Sequence, residues 1–174
     1  GQRLDLDVYP NVMTAVDFMH HEPDRIRESC QQFDGSLSVV AGRAGSATSL
    51  APSELSMLVR VLAAEFDRVI IDADSTVHVD LIRSVDVLLL VGLGSPVGVT
   101  RLLRMARELI EPGFDGPELA IVVNRVSETS GHKSEITRLI RESVGDLPIV
   151  FLPEDRRIAS ASWDGVAVGR GPFH

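Results

Sequence analysis

The stretch Ser84-Val85-Asp86-Val87-Leu88-Leu89-Leu90-Val91 decides the fold class, because five aliphatic residues follow an aspartate with no polar residue between them. A strand that is apolar without alternation is typical of a parallel sheet that helices cover on both faces. The run Val69-Ile70-Ile71 has the same character. Working outward along the chain, further strands are predicted at 4–7, 38–41, 68–72, 120–123 and 149–152.

Amphipathic stretches lie between several of these strands. Apolar residues recur at helical spacing at 55–66, after Pro52, and again at 99–110 and 136–144, so each stretch should lay one stripe on the sheet. The segments 42–49 and 127–133 are rich in Gly, Ser and Thr and are predicted to be surface loops. This order predicts an α/β fold with three α/β/α layers and a mostly parallel sheet, in a single domain over 1–174.

Composition limits the classes of function. The chain has 174 residues, a formal net charge of −8 and a pI near 5.0, so strong nucleic-acid binding is not expected. A single cysteine, Cys30, allows no internal disulfide and favours the cytoplasm. No apolar run reaches the roughly 20 residues of a membrane-spanning helix, and the segment 166–174 cannot form an amphipathic anchor. Direct membrane insertion is therefore not predicted.

Polar side chains stand where predicted strands end. Asp5 and Asp7 close the first strand, Asp72 closes the strand at 68–72, and Asn124 with Arg125 follows the strand at 120–123. Ligands of doubly wound sheets bind beyond the carboxyl ends of the strands. We therefore expect these residues to form one site. Asp74 is better explained as a turn or cap residue.

The ordered set of segments resembles the MinD/ParA family of deviant Walker ATPases, and within it the CpaE/TadZ branch that is associated with pilus assembly. The stretch 4–11 is similar to the family's strand and switch segment, 37–42 to an edge strand, and 66–72 to the Walker B strand. The stretch 84–92 is similar to the family's next strand, 120–126 to the strand ending in the adenine-reading Asn, and 147–165 to the closing segment. The resemblance implies a P-loop NTPase-like fold.

The resemblance also implies a role for each matched residue. Asp7 would orient the attacking water, and Asp72 would hold Mg²⁺ through its water shell. Asn124 and Arg125 would bind the nucleotide, with the Asn124 amide on the adenine edge. The remaining members of the site, on the base and ribose, are Pro153, Glu154 and Asp155. The cofactors implied are ATP and Mg²⁺, and the partners are a second copy of the chain and proteins of a localisation or secretion system.

The chain departs from the family pattern in its phosphate-binding part. There is no G-x-x-x-x-G-K-[ST] match, and Lys133 is the only lysine in the sequence. The segment Ala73-Asp74-Ser75-Thr76 replaces the usual Pro and Gly turn after Walker B. The family's leading strand, phosphate loop and first helix are expected to be missing, so the domain is predicted to be truncated at its N-terminus. Because that strand is central in the family's sheet, a gap is expected between the strand at 68–72 and the next one. Either the source protein has that segment upstream, or the chain is a degenerate relative whose sheet is closed differently.

Three functions remain open at this point. The first is a nucleotide switch that positions or assembles cellular machinery such as a pilus or secretion apparatus, a septum or a replicon, without hydrolysing ATP in this form. The second is a pseudo-ATPase that acts as a scaffold or localisation factor. The third is a flavodoxin-type or response-regulator-like α/β module that uses clustered aspartates. Arg101 and Arg104 are predicted to lie on a solvated helix face in each case.

Overall fold

A three-stranded parallel sheet organises the second half of the chain. The computed structural model describes residues 7, 9–33, 36–42, 50–73, 79–110, 116–127 and 130–155. These residues group into two compact units, one up to Ser84 and one from Val85 onward. The sheet belongs to the second unit, which also contains every predicted site residue after Asp72.

The elements of the second unit alternate strictly between strand and helix. They are β3 (Val87–Leu93), α4 (Pro96–Leu109), β4 (Glu118–Val126), α5 (Ser130–Val144) and β5 (Ile149–Pro153). The strand order is β3-β4-β5, and both pairs are parallel. Two strands and the crossover helix between them thus form a βαβ unit twice in succession. The predicted α/β class with a parallel sheet is confirmed.

One face of this sheet packs against α4 and α5. Leu90 on β3 pairs with Ile121 on β4 and points to the same face. Ile121 and Val123 are fully buried, as are Ala106 of α4 and Ile140 of α5. The other buried members of this core are Val99, Leu102, Val126 and Ile136. Burial of these aliphatic side chains stabilises the unit by roughly 1.5–3 kcal/mol for each large side chain.

The elements of the first unit are mostly helical. They are α1 (Val12–His21), a 3₁₀ helix (Pro23–Ser29), β1 (Gln31–Gln32), β2 (Ser38–Val39), α2 (Pro52–Glu65) and α3 (Val79–Ile82). Asn11 caps α1, since its Oδ1 accepts the N–H of Met13 at 3.0 Å. The core of this unit is formed by Ala15, Val16, Met19, Ile26, Leu58 and Leu62. Pro52 opens α2, as predicted.

Three local predictions need correction. The segment 68–72 carries no strand, and Ile70 is 92% exposed, because no described segment pairs with it. The strand at 38–41 shrinks to the two residues of β2, which pair antiparallel with β1. The loop at 127–133 ends early, because α5 begins at Ser130; serine is frequent at helix starts as well as in loops.

Some predictions fall outside the described residues. They concern 4–6 of the first predicted strand, 43–49 of the predicted loop, and Asp5 and Asp74. Within the residues that are described, no helix has the length and apolar character needed to cross a membrane.

Candidate nucleotide-binding rim

The carboxyl ends of β3, β4 and β5 lie at one edge of the sheet, because the three strands are parallel. Leu93, the last residue of β3, pairs with Asn124, and Val126, the last of β4, pairs with Pro153. The N–H of Glu154 donates to the carbonyl of Val126 at 3.4 Å. The structure therefore brings five predicted residues together at this edge, which we call the rim: Asn124, Arg125, Pro153, Glu154 and Asp155.

Asn124 is held at the rim by its backbone and its side chain. Its carbonyl oxygen accepts the N–H of Gly94 at 2.7 Å, and its Oδ1 accepts the N–H of Arg125 at 2.8 Å. Only the oxygen of the carboxamide can accept a bond from an N–H group, so this contact fixes the orientation of the amide. The Nδ2 amide group has no partner among the described residues. It is available to donate to a ligand.

Arg125 has an unusual backbone. Its φ is +54°, in the left-handed region that non-glycine residues rarely enter. The register between β4 and β5 shifts between Val123 and Val126, so this stretch of β4 leaves the regular ladder. Such strain is often found at functional sites and is consistent with a binding role for this turn. The Arg125 side chain itself is exposed.

The β5 side of the rim supplies carboxylates. Glu154 is exposed, while Pro153 and Asp155 are half-buried. Ionised carboxylates accept hydrogen bonds only. Amide donors on the β4 side and carboxylate acceptors on the β5 side give the rim the chemistry to hold a ligand with both acceptors and hydroxyl groups, such as a nucleoside.

The turn between β3 and α4 completes the rim, and the sequence reasoning missed it. A Cβ added at Gly94 would lie 2.9 Å from Cγ2 of Val126, and one added at Gly98 would overlap the carbonyl oxygen of Leu93. Ser95 caps α4, since its Oγ accepts the N–H of Gly98 at 3.1 Å. The signal was present as Gly94-Ser95-Pro96-Val97-Gly98 directly after a strong strand. Two glycines around a Ser-Pro helix start indicate close packing of strand end and helix.

Asp7 and Asp72 belong to the first unit. The N–H of Asp7 donates to Oε1 of Gln31 at 2.8 Å, and Nε2 of Gln31 donates to the carbonyl of Asp7 at 2.8 Å. The side chains of Asp7 and Asp72 are both exposed, and no hydrogen bond or ion pair described joins them. The part of the chain that the structure describes contains no group of three or more His, Cys, Asp or Glu that could hold a metal ion. The roles of Asp7 on water and Asp72 on Mg²⁺ stay predictions.

An open concavity of about 480 Å³ lies along the outer side of α5. Two of its arginines already have carboxylate partners, since Arg138 lies 2.8 Å from Glu142 and Arg141 lies 3.0 Å from Asp146. No predicted site residue lines this concavity, whose lining is Lys133, Ser134, Thr137, Arg138, Arg141 and Glu142. It is therefore a surface feature separate from the rim residues.

Comparison with solved structures decides the fold. A crystal structure described as a ParA family ATPase from Chlorobium tepidum TLS matches the chain with a TM-score of 0.68 over 89% of its length. The fold is ParA-like. The sequences are 21% identical, and the chain spans 66% of the length of that solved chain. No protein-family model matches, and no curated protein matches in sequence.

The ParA-like fold gives the rim its context. Similarity at this level of identity concerns the arrangement of helices and strands, and it agrees with the α/β fold predicted from the order of the segments. Activity, substrate and partners do not follow from the fold alone.

Proposed function

We propose that this chain is part of a MinD/ParA-like nucleotide-switch protein whose rim holds the adenosine portion of ATP. The main support is the joint placement of Asn124, Arg125 and 153–155 at one sheet edge of a ParA-like fold. These are the residues to which the ordered resemblance assigns nucleotide binding. Two separate stretches of chain meet there, which favours a shared ligand over two unrelated turns.

The rim chemistry fits a nucleoside. The Nδ2 group of Asn124 would donate to a ring nitrogen of adenine, and Oδ1, which already accepts from the N–H of Arg125, keeps one lone pair for the exocyclic amine. The carboxylates of Glu154 and Asp155 would accept from the ribose hydroxyls. Pro153 would give the base a flat apolar contact. When bound, Mg²⁺ would neutralise charge on the phosphates, with Asp72 holding its water shell and Asp7 placing a water near the terminal phosphate.

The proposed site is least complete where the phosphates of ATP would bind. Lys133 is the sole lysine of the sequence. It lies in the first turn of α5, outside any glycine-lysine loop. Exposed carboxylates at Asp7 and Asp72 repel a polyanion unless cations screen them. We therefore expect binding through the base and ribose, and no measurable ATP hydrolysis by these 174 residues.

A second candidate is a pseudo-ATPase that binds partners without turnover. The lack of a glycine-lysine motif within the 174 residues favours it. The two candidates share the rim and differ in the chemistry of the phosphates. In both, we place the protein in the cytoplasm as a homodimer that positions machinery, with a CpaE-like role in pilus assembly as the most specific form. The acidic net charge of −8 and the pairing of Arg104 with Glu108 at 4.0 Å support protein partners over nucleic acid.

Calorimetric titration with adenosine and with MgATP tests the proposal. Both ligands should bind weakly, with Kd on the order of 0.1–1 mM, since only base and ribose are gripped. Asn124→Asp keeps the shape and the acceptor but removes the donor, so it should weaken both about fivefold or more. Arg101→Ala on the exposed face of α4 is the matched control and should leave Kd unchanged. Absence of binding at millimolar adenosine would overturn the proposal.

Hydrolysis is measured separately. Phosphate release by the wild-type chain should equal that of Asp7→Ala and Asp72→Ala. Turnover by the wild-type chain that either substitution abolishes would contradict the expected inactivity of this form.

A further inference from the structure

Gly94 is the first residue after β3, and it continues the pairing of that strand with β4. Leu93, the last residue of β3, pairs with Asn124. The N–H of Gly94 then donates to the carbonyl oxygen of Asn124 at 2.7 Å, which is at the short end of the normal range for an N–H···O bond. The chain that leaves β3 therefore holds the backbone of the residue whose side chain is proposed to bind the base.

One peptide group takes part in both hydrogen bonds that fix Asn124. The carbonyl of Asn124 and the N–H of Arg125 belong to the same planar peptide unit, and in a trans peptide they point in opposite directions. The carbonyl accepts the N–H of Gly94, and the N–H of Arg125 donates to Oδ1 of Asn124 at 2.8 Å. Rotation of this peptide group would disturb both bonds together. The position of Gly94 therefore determines where Oδ1 is held, and with it the Nδ2 group.

The surroundings of Gly94 leave no room for a side chain. A Cβ at this position would lie 2.9 Å from Cγ2 of Val126, 3.1 Å from its Cα and 3.4 Å from the carbonyl oxygen of Arg125. Val126 is fully buried, and a β-branched side chain has few alternative rotamers, so it cannot turn away from the added atom. A methyl group at Gly94 would therefore push the chain away from the Arg125–Val126 segment.

The turn that Gly94 contacts is held weakly from the other side. The regular pairing of β4 with β5 is interrupted between Val123 and Val126, so the β5 ladder does not fix Asn124. Arg125 has a φ of +54°, and such a conformation persists only where its surroundings enforce it. Gly94 bonds to the residue before Arg125 and lies against the residue after it. It is thus placed to hold this strained turn.

We infer that Gly94 is a positioning residue for the nucleoside site. Its N–H orients the Asn124 carboxamide, and its lack of a side chain lets the Arg125 turn stay close to the end of β3. The inference rests on the proposed function for its ligand, a nucleoside whose base carries an acceptor nitrogen beside an exocyclic amine. Replacement of Gly94 should therefore reduce the preference for one base over another. A glycine needed only for stability would weaken the binding of all nucleosides equally.

The preference for adenosine over inosine measures the orientation of the carboxamide. Inosine has a carbonyl group where adenosine has the exocyclic amine, so it gives Oδ1 of Asn124 no donor at that position. In NMR titrations of the wild-type chain, adenosine should bind about tenfold more tightly than inosine. Gly94→Ala should lower this ratio of Kd values to about threefold or less. A folded Gly94→Ala chain that keeps the wild-type ratio would overturn the inference.

Gly92→Ala is the matched control for loss of stability. Gly92 lies on β3, and a Cβ there would lie 3.1 Å from Cβ and Cδ1 of Leu102. The substitution therefore strains the packing of α4 without contacting the Arg125 turn. Its Tm should fall, while its ratio of adenosine to inosine binding should match the wild type. Equal loss of the ratio in Gly92→Ala and Gly94→Ala would count against a specific role for Gly94.

Amide hydrogen exchange tests the positioning without any ligand. Although Arg125 is exposed, its N–H should exchange about tenfold or more slowly in the wild-type chain than in an unstructured peptide, because Oδ1 of Asn124 holds it. Gly94→Ala should reduce this protection about threefold or more and leave Ile121, in the middle of β4, unchanged. Gly92→Ala should keep it.

The two readouts separate the positioning role from the proposed function. An unprotected Arg125 N–H in the wild-type chain would overturn the inference, whichever nucleosides bind. Protection that Gly94→Ala removes, in a chain that binds no adenosine, would support the role of Gly94 on the Asn124 carboxamide and would overturn the nucleoside site alone.

Discussion

Two stretches of almost the same apolar character end up in different structural states. Val87–Leu93 is a regular strand, whereas Val69, Ile70 and Ile71 lie in a segment without strand pairing. Leu90 is buried, while Ile70 is almost fully exposed. β3 has β4 beside it with seven paired positions, and no described strand pairs with the segment 68–72. An apolar run becomes a strand only when another strand satisfies its backbone.

The difference bears on the proposed site, because Asp72 lies at the end of the unpaired segment and Asn124 lies near the end of the paired strand β4. Asn124 is fixed by the carbonyl and side-chain bonds to Gly94 and Arg125. Asp72 has no such frame among the described contacts. A residue at the end of a paired strand is placed by the sheet, so the position of Asn124 is set by β4.

The largest expected difference in stability is between alanine substitutions in the two aliphatic runs. Leu90→Ala removes a side chain from the core between the sheet and α4 and should lower the free energy of unfolding by about 2–5 kcal/mol. Ile70→Ala shortens a side chain that is exposed to solvent and should change the free energy of unfolding by less than about 0.5 kcal/mol. Urea denaturation measures both. Equal losses would mean that Ile70 is buried as a strand residue.

The close packing of α4 on the end of β3 gives the next contrast. Gly98→Ala forces the added methyl group against the Leu93 carbonyl and should cost about 1–3 kcal/mol. Gly131→Ala, in α5, has nothing within 4 Å of the added atom and should stabilise by up to about 1 kcal/mol, as alanine favours helix. Thermal unfolding of the two variants should shift in opposite directions. A neutral Gly98→Ala would contradict the tight turn at the rim.

The strained turn at the end of β4 should respond more weakly. Arg125→Gly removes the cost of a left-handed non-glycine residue and should stabilise the chain by about 0.5–1 kcal/mol after the entropy of glycine is subtracted. Arg101→Gly, in the middle of α4, should destabilise it by about 1 kcal/mol. Chemical denaturation measures the free energy of unfolding of both variants and shows whether each change is a gain or a loss. Loss of stability with Arg125→Gly would show that the side chain, and not the backbone, matters there.

The smallest effect concerns Cys30, which packs in the same core as Val69. Burial raises the pKa of the Cys30 thiol, against weaker opposing contributions from Ser29 and Arg27. Stability from the neutral thiol is therefore present below the unfolded thiol's pKa and falls as pH rises through the folded pKa. Alkylation by iodoacetamide at pH 8 should be slower in the folded chain than in urea. Equal rates would show that this core, with Val69 in it, is open.

Much of the second unit could be predicted from the sequence. β3, β4, α4 and β5 follow from non-alternating apolar runs and one amphipathic period, and the parallel order places Asn124 and Pro153 at one edge. The elements of the first unit are harder to predict from the sequence. Its helix α1 and the 3₁₀ helix have weak periodicity, and the failure at 68–72 depends on a pairing partner that local sequence does not reveal. The glycines of the β3–α4 turn were overlooked because their role is close packing, which only three-dimensional contacts show.

The most direct test of the rim as a nucleoside site is an amide NMR titration of the 174-residue chain with adenosine. Saturable shifts are expected on the amides of Asn124, Arg125, Val126, Glu154 and Asp155, with little change along α5 from Lys133 to Glu142. Shifts spread over the chain without saturation, or a cluster that excludes Asn124 and Glu154, would contradict it.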